Sequence, residues 1–296
     1  MSLLSRIKDK TKTAIKKRAL SEIIVFGIVW CIFCFVAISY LTIFVWCFMS
    51  GLKTHTQVNM YPFNMPTKLH FSHYIEVMSV LDIAGYSFWG MLGNSLYFSL
   101  LGPFITLMFT SMLAYVTTKY NFKGAKVYFY VVMVSILLPV YGNTGAMYML
   151  LYKLGFVNSY SQILVAFGGI NIFYLYFVST FQSLSWTYAE AAFLDGANDF
   201  QVYFKIMFPL VSNLFIALFI MSWQQNWNSY ESALIYLDKL PTLASGLYLF
   251  EINMLYYARM DLLYAGYFIS VIPPLVVYAF CNKLLTTSIA VGGIKE

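Results

Sequence analysis

The residues of this chain that could do chemistry are few, and most of them point to contact rather than catalysis. Between Glu190 and Pro209 the sequence reads EAAFLDGANDFQVYFKIMFP. Glu190, Ala191, Ala192, Phe193 and Leu194 are a short run of good helix formers, and Gly196 supplies a backbone that can turn sharply. Asn198 and Gln201 have capping-box spacing, which predicts a second short helix running through Phe204 and Ile206 toward Pro209. The result is a compact polar helix-turn-helix between two apolar stretches. It reads as a docking element, and docking implies a partner. A second polar run, Ser222 to Ser229, mixes amides, hydroxyls and two indoles. Such a mix suits a passage for sugars, whose hydroxyls need amide and hydroxyl partners and whose apolar faces stack on rings. It equally suits interhelical glue, worth about 1 kcal/mol per hydrogen bond. Helical spacing pairs Gln224 with Asn228 on one face and Trp223 with Trp227 on another, and the amide pair is the better candidate for a substrate path.

Other chemistries lack their residues. No G-x-x-x-x-G-K-[ST] run occurs, so the chain has no P-loop for ATP phosphates and is not read as an enzyme. No paired carboxylates, nucleophile triad or metal cluster stands out. His55, His70 and His73 fit no compact ligand set and read as solvated residues of a Pro-containing connection. Cys31, Cys34, Cys47 and Cys281 lie in apolar runs, where cysteine behaves as a small hydrophobe. No metal site is expected.

The elements that must position the two polar runs are membrane spans. The chain is 60% hydrophobic and only 10% charged, far from the roughly 25% charged residues of a soluble domain. A helix needs about 20 apolar residues to cross the hydrocarbon. The expected spans are Ile23–Met49, Trp89–Thr117, Val127–Tyr148, Gln162–Phe181, Pro209–Tyr230 and Leu262–Leu285. Pro139 and Gly142 interrupt the third, which is expected to be kinked or shortened. The first apolar run is too long for a signal-peptide core and reads as a retained helix. With six spans, thirteen of the eighteen basic residues fall on the side of the N-terminal tail. The positive-inside rule then places both termini and the 190–209 element in the cytoplasm. The tail's seven charges set insertion polarity and meet anionic lipid rather than nucleic acid. The domain division is a tail at 1–20, a transmembrane domain at 21–285 with its coupling loop at 186–209, and a C-terminal tail at 286–296. The connection 51–88 should lie outside, with a short surface helix over Tyr74–Leu81. Between Pro209 and Tyr230 there is no ionisable group, which argues against a proton or sodium relay.

Glu190, Ala191, Ala192, Asp195, Gly196, Ala197, Phe204, Ile206 and Pro209 match, in type and spacing, the cytoplasmic coupling motif of ABC importer membrane subunits. Asn198 stands where Ser or Thr is frequent and Phe208 where Leu is usual. Asn94-Ser95-Leu96, Leu154-Gly155, Asn158-Ser159, Trp227-Asn228 and the terminal Val291-Gly292-Gly293-Ile294-Lys295 extend the likeness over roughly residues 20 to 296. Ala146 departs from a proline common in the family. The set resembles the carbohydrate-uptake branch of these permeases, and within it the six-helix second permease subunit of the maltose system. The resemblance implies an all-α membrane fold of six helices that moves a sugar by alternating access. Its implied partners are a second permease subunit, two ATPase subunits that bind the ATP and magnesium, and an extracellular solute-binding protein. A homodimer stays open as an alternative to the heterodimer. It also implies that Glu190 pairs with a basic residue in the ATPase cleft and that Gly292, Gly293 and Lys295 reach into the ATPase dimer. The segment Pro241–Tyr257 corresponds to a loop that enters the binding protein, although Leu243–Phe250 is apolar enough to be membrane-embedded instead. A permease for a polyol, a glycerol phosphate or a peptide is the nearest alternative, and a stand-alone channel or secondary carrier a more distant one.

Overall fold

The structure is a computed structural model that describes residues 20–120, 122–138, 142–168, 170–257 and 259–291. Helix α1 (Leu20–Gly51) is one unbroken apolar rod. Two short helices follow it, α2 (His55–Met60) and α3 (Ser72–Val80), and then a two-stranded antiparallel ladder, β1 (Asp82–Ile83) with β2 (Tyr86–Ser87). The short helix expected at Tyr74–Leu81 is therefore present as α3, starting two residues earlier, with Val77 buried in the bundle.

The next helical run consists of α4 (Phe88–Leu96), a π turn at Tyr97–Leu101 and α5 (Gly102–Lys119). Beyond it lie α6 (Lys123–Leu137), α7 (Thr144–Lys153), a 3-10 turn at Tyr160–Phe167 and α8 (Ile172–Ser183). Then come α9 (Thr187–Leu194), α10 (Asp199–Val202), a second π turn at Tyr203–Met207 and α11 (Phe208–Trp227). The chain continues through α12 (Tyr230–Tyr236), α13 (Leu243–Tyr257) and α14 (Met260–Val291). Each π turn immediately precedes a helix with proline in its first turn, Pro103 or Pro209. Proline gives no N–H to the carbonyl four residues back, and the wider turn lets the helix pass through that defect instead of breaking.

Among the described residues four runs are long and apolar enough to cross a membrane: Ile24–Gly51, Phe88–Lys119, Asp199–Trp227 and Met260–Cys281. The 3-10 turn and α8 make a fifth if counted as one span bent by 48°. The third expected span, Val127–Tyr148, is not a single helix. It divides into α6 and α7, and at 15 residues α6 is about 22 Å long, short of the roughly 30 Å hydrocarbon core. The break has a local cause. A residue before proline is pushed out of the helical region, and Leu138 is extended at ψ 115°, while Gly142 takes φ +79°.

Two apolar clusters organise the helices. One joins α5, α8, α9 and α11 through Leu107, Tyr115, Phe177, Phe181, Ala192, Met207 and Phe215. The other joins α3, α4, α11, α13 and α14 through Val77, Phe88, Met91, Trp223, Trp227, Leu247 and Leu262. Pro241–Tyr257 is thus no projecting loop. Its apolar residues form α13, with Leu243, Leu247 and Phe250 buried in the second cluster. Nor is His73 solvated. It is buried with Nδ1 3.1 Å from the Gly51 carbonyl oxygen and 3.6 Å from Asp261, and its ring stacks on His70. Arg259 donates to both Asp261 and Glu76, so α3 is tied to the start of α14.

Candidate coupling site and the helix that roots it

The 187–202 segment folds as a knob whose geometry follows from its own residues. At the end of α9 the Ala197 N–H donates to the Ala192 carbonyl and the Gly196 N–H to the Phe193 carbonyl, each at 3.0 Å. This pair of bonds is a Schellman cap, and it requires the left-handed φ of +83° that Gly196 adopts without a side-chain penalty. One residue after Ala197 the chain re-enters a helix. Asn198 Oδ1 accepts the Gln201 N–H at 2.9 Å, and Gln201 Oε1 accepts the Asn198 N–H at 3.0 Å, which completes the capping box.

The faces of the knob divide cleanly. Ala189 and Ala192 are buried, and their small side chains let α9 sit close to the helices beneath. Glu190, Ala191, Asp195 and Gly196 are exposed, as are Leu194 at 89% and Phe200 at 69%. Ala197 is half-buried. A solvated turn has no need of two large apolar side chains at its tip, but a surface that docks into another protein does.

The second helix of the knob does not stop at Pro209 as a separate element. Asp199–Trp227 is one helical run of 29 residues, about 43 Å long, that joins the knob to the second apolar cluster. Phe204 is partly exposed along it, Ile206 packs on the first cluster, and Pro209 is exposed in the first turn of α11. The foot of this rod is clamped to neighbouring elements. Tyr203 donates its hydroxyl to Ser111 Oγ at 3.0 Å, Tyr120 donates to Asp199 Oδ1 at 2.5 Å, and Lys119 Nζ donates to the Leu184 carbonyl at 2.5 Å. The Tyr120 ring also meets Trp186 edge-on. Burial, and then the Asp199 carboxylate, push the Tyr120 phenol above its usual range, so it remains a donor throughout physiological pH.

At the other end of the rod the two candidate pairs separate. Trp223 and Trp227 are core residues of the second cluster, 3% and 5% exposed. Trp227 Nε1 donates to the Ser270 carbonyl at 3.3 Å. That carbonyl lies four residues before Pro274, which has no N–H to offer it, so the indole replaces the lost helical bond. Gln224 and Asn228 are exposed on an adjoining face, and Asn228 Nδ2 donates back to the Gln224 carbonyl.

Beside this pair lies a cavity of about 290 Å³ whose walls mix polar with apolar side chains such as Ile163, Val165 and Leu237. Phe98, Thr106, Gln162, Asn226, Ser229 and Ser232 contribute to its walls, and neither Gln224 nor Asn228 does. Two of these residues belong to the polar run; choosing them required knowing which face the first π turn, α5 and the 3-10 turn approach. Gly292, Gly293 and Lys295 lie outside the described residues.

The end of the bundle away from the knob is clasped by residues far apart in sequence. Asn94 Nδ2 donates to the Pro241 carbonyl at 3.0 Å and its Oδ1 accepts the Tyr160 hydroxyl at 2.8 Å, while the Leu243 N–H donates to Ser95 Oγ at 2.6 Å. Asn158, at φ +55°, accepts the Lys239 N–H and donates its side-chain amide to Asp238.

Residues 109–291 match the family described as binding-protein-dependent transport system inner membrane component. Among curated relatives, the arabinooligosaccharides transport system permease protein AraQ of Halalkalibacterium halodurans is 25% identical over 230 residues, covering 78% of this chain and 81% of the relative. The diacetylchitobiose uptake system permease protein NgcG of Streptomyces coelicolor is 24% identical over 256 residues, covering 84% and 82%. Among solved structures, a chain of a bacterial ABC transporter involved in the import of the acidic polysaccharide alginate superposes with a TM-score of 0.74 at 23% identity, covering 90% of this chain and 98% of that one. The fold is that of an ABC importer permease, and the family match spans most of the chain, knob and rod included. The protein belongs to the inner membrane components of binding-protein-dependent transport systems.

Proposed function

We propose that this chain is one of two permease subunits of an ATP-driven importer that carries a sugar or oligosaccharide delivered by an extracellular solute-binding protein. The observation that carries the coupling role is the knob itself: a Schellman glycine and a capping box hold Leu194 and Phe200 out at the end of an unbroken 29-residue helix. Such a rod passes a displacement at its foot to Trp223 and Trp227 in the far cluster, which suits a part driven from outside the membrane. In this reading the knob docks on a cytoplasmic ATPase subunit, with Glu190 paired to a basic residue there. Hydrolysis belongs to that partner, which binds ATP and magnesium. Both termini are then cytoplasmic, and α6 with α7 forms a broken third of six spans.

The sugar assignment rests on relatives named for arabinooligosaccharides and diacetylchitobiose, and on the uncharged cavity. Amides and hydroxyls beside Phe98 offer hydrogen bonds and a ring face, and no acidic or basic side chain is among the lining residues. The cavity residues Asn226 and Ser229 are therefore preferred to Gln224 and Asn228 as path residues.

Two variants test the coupling. Gly196→Pro cannot adopt φ +83°, and Glu190→Arg reverses the charge at an exposed position. Both should abolish uptake and stimulated ATP hydrolysis while the chain still inserts in the membrane. Normal transport by both would remove the docking assignment. Co-purification in mild detergent should recover an ATPase and a second permease, and the associated binding protein can then be screened against sugars, polyols and peptides.

A further inference from the structure

The segment that follows α1 has the wrong surface for water. Among residues 54–75 Lys68 is the one lysine, arginine, aspartate or glutamate, where a solvated stretch of that length averages about a quarter charged. Its largest side chains point outward: Phe63 is 87% exposed, Met65 77% and Met60 68%. Its backbone polar groups, by contrast, turn inward. The Pro62 carbonyl accepts from Trp46 Nε1 at 2.8 Å and from Lys53 Nζ at 2.6 Å. Gln57 donates to the Met65 carbonyl and accepts the Thr67 N–H, and the Asn64 N–H donates to the Tyr61 carbonyl. A loop in water gains little from such internal pairing, whereas one at a lipid boundary depends on it.

The depth of this loop follows from α1. Its apolar span Ile24–Gly51, 28 residues long, measures about 42 Å, close to the roughly 40–45 Å of a bilayer with its headgroups. Trp46 precedes the end of that helix by five residues and so lies about 7.5 Å below it, at the level where membrane tryptophans collect. The Phe63 ring lies beside the Trp46 ring, at 6.2 Å between centroids. The loop tip is thus folded back along the helix, continuous with the exposed apolar side chains from Ile24 to Ile43.

We propose that residues 60–66 are an interfacial membrane anchor: Met60, Phe63 and Met65 insert at the headgroup–acyl boundary of the leaflet opposite the knob. Apolar area buried there, with a tryptophan at the same level, fixes the depth of α1. Through His73, Asp261 and Arg259 the same loop region is tied to α14, so the anchor also sets the height of the last span. A binding protein approaching from above meets the ends of the helices first, and headgroups cover the level of Trp46.

The test uses the full chain in its complex, reconstituted in vesicles of phosphatidylethanolamine and phosphatidylglycerol, with Cys31, Cys34, Cys47 and Cys281 replaced by serine or alanine. Spin labels on Phe63→Cys and Met65→Cys should collide several-fold more with oxygen, relative to a water-soluble nickel chelate, than a label on Thr56→Cys, an exposed residue of α2. A Phe63→Trp variant gives a second readout that needs no cysteine replacement: brominated acyl chains should quench the added fluorescence and aqueous iodide should not. Nickel accessibility at Phe63 equal to that at Thr56, or iodide quenching of the new tryptophan, would overturn the anchor. So would loss of collisions with both reagents only when the binding protein is added, since the surface would then be a protein contact.

Discussion

The two ends of the α11 rod are built on opposite principles. The knob takes its own shape from bonds within five positions, Ala197 to Ala192, Gly196 to Phe193 and Asn198 to Gln201, and long-range bonds such as Tyr203 to Ser111 and Tyr120 to Asp199 only clamp its foot to the bundle. At the far end the bonds that set the shape join residues separated by 66 to 148 positions, from Asn94 to Tyr160 and Pro241 and from Ser95 to Leu243. A locally determined element keeps its shape when its surroundings move. An element held by distant partners keeps its shape only while those partners stay in place. The difference suits a part that transmits motion at one end and must let helices rearrange at the other.

The largest stability effect should therefore come from breaking the distant clasp. Asn94→Leu keeps the branched shape in a buried position, at the cost of some added volume, but leaves the Pro241 carbonyl without its partner and takes one acceptor from the Tyr160 hydroxyl. The expected cost is about 2 kcal/mol, since buried unpaired groups cost about 1–3 kcal/mol and membrane hydrogen bonds are worth less than that on average. Thermal unfolding of the purified protein in detergent should fall by several degrees, and a change within error would mean the clasp is redundant.

Asn158 separates backbone from side chain in the same clasp. Asn158→Ala loses both the bonds to Lys239 and Asp238 and the tolerance for φ +55°. Asn158→Gly loses only the bonds. The alanine variant should be less stable than the glycine variant by about 1 kcal/mol, the cost of the left-handed conformation. Equal stabilities would show that this turn relaxes once its side-chain bonds are gone.

How much of this could be read from the sequence follows the same division. Gly196, Asn198 and Gln201 announced the knob because a cap is written in residues three to five apart. Asn94-Ser95 and Asn158 were visible only as marks of family likeness, because their partners in the 236–243 stretch are chosen by packing. Trp223 and Trp227 shared a face as expected, but whether that face met a cavity or the core depended on α13 and α14. The third span misled for a different reason. Pro139 and Gly142 marked it for a kink or a shortening, and what they did not show is that the helix would end at Leu137 and restart at Thr144 as a separate element. His73 misled because its acidic partner, Asp261, lies 188 positions further along the chain.

Trp227→Phe tests the rod where it meets α14. The variant loses the N–H that serves the Ser270 carbonyl beside Pro274 and part of a buried ring as well. The expected cost is about 1–2 kcal/mol. Transport should fall more than stability does if the contact couples α11 to α14, and a parallel fall in both would reduce it to a packing role.

The smallest effect belongs to the knob and is the sharpest check on the comparison. Asn198→Ala removes one half of the capping box and should cost about 1 kcal/mol, while Asn198→Gly should cost only a few tenths. Gln201→Ala removes the other half, the bond its side chain accepts from the backbone N–H of position 198, so the double variant set against the two singles measures how far the halves support each other. The Asn94 and Asn198 variants share no partners, and their effects should add. Additivity between the ends with non-additivity inside the knob is what local construction requires. Strong coupling between Asn94 and Asn198 would instead mean that the rod carries strain from one end to the other even at rest.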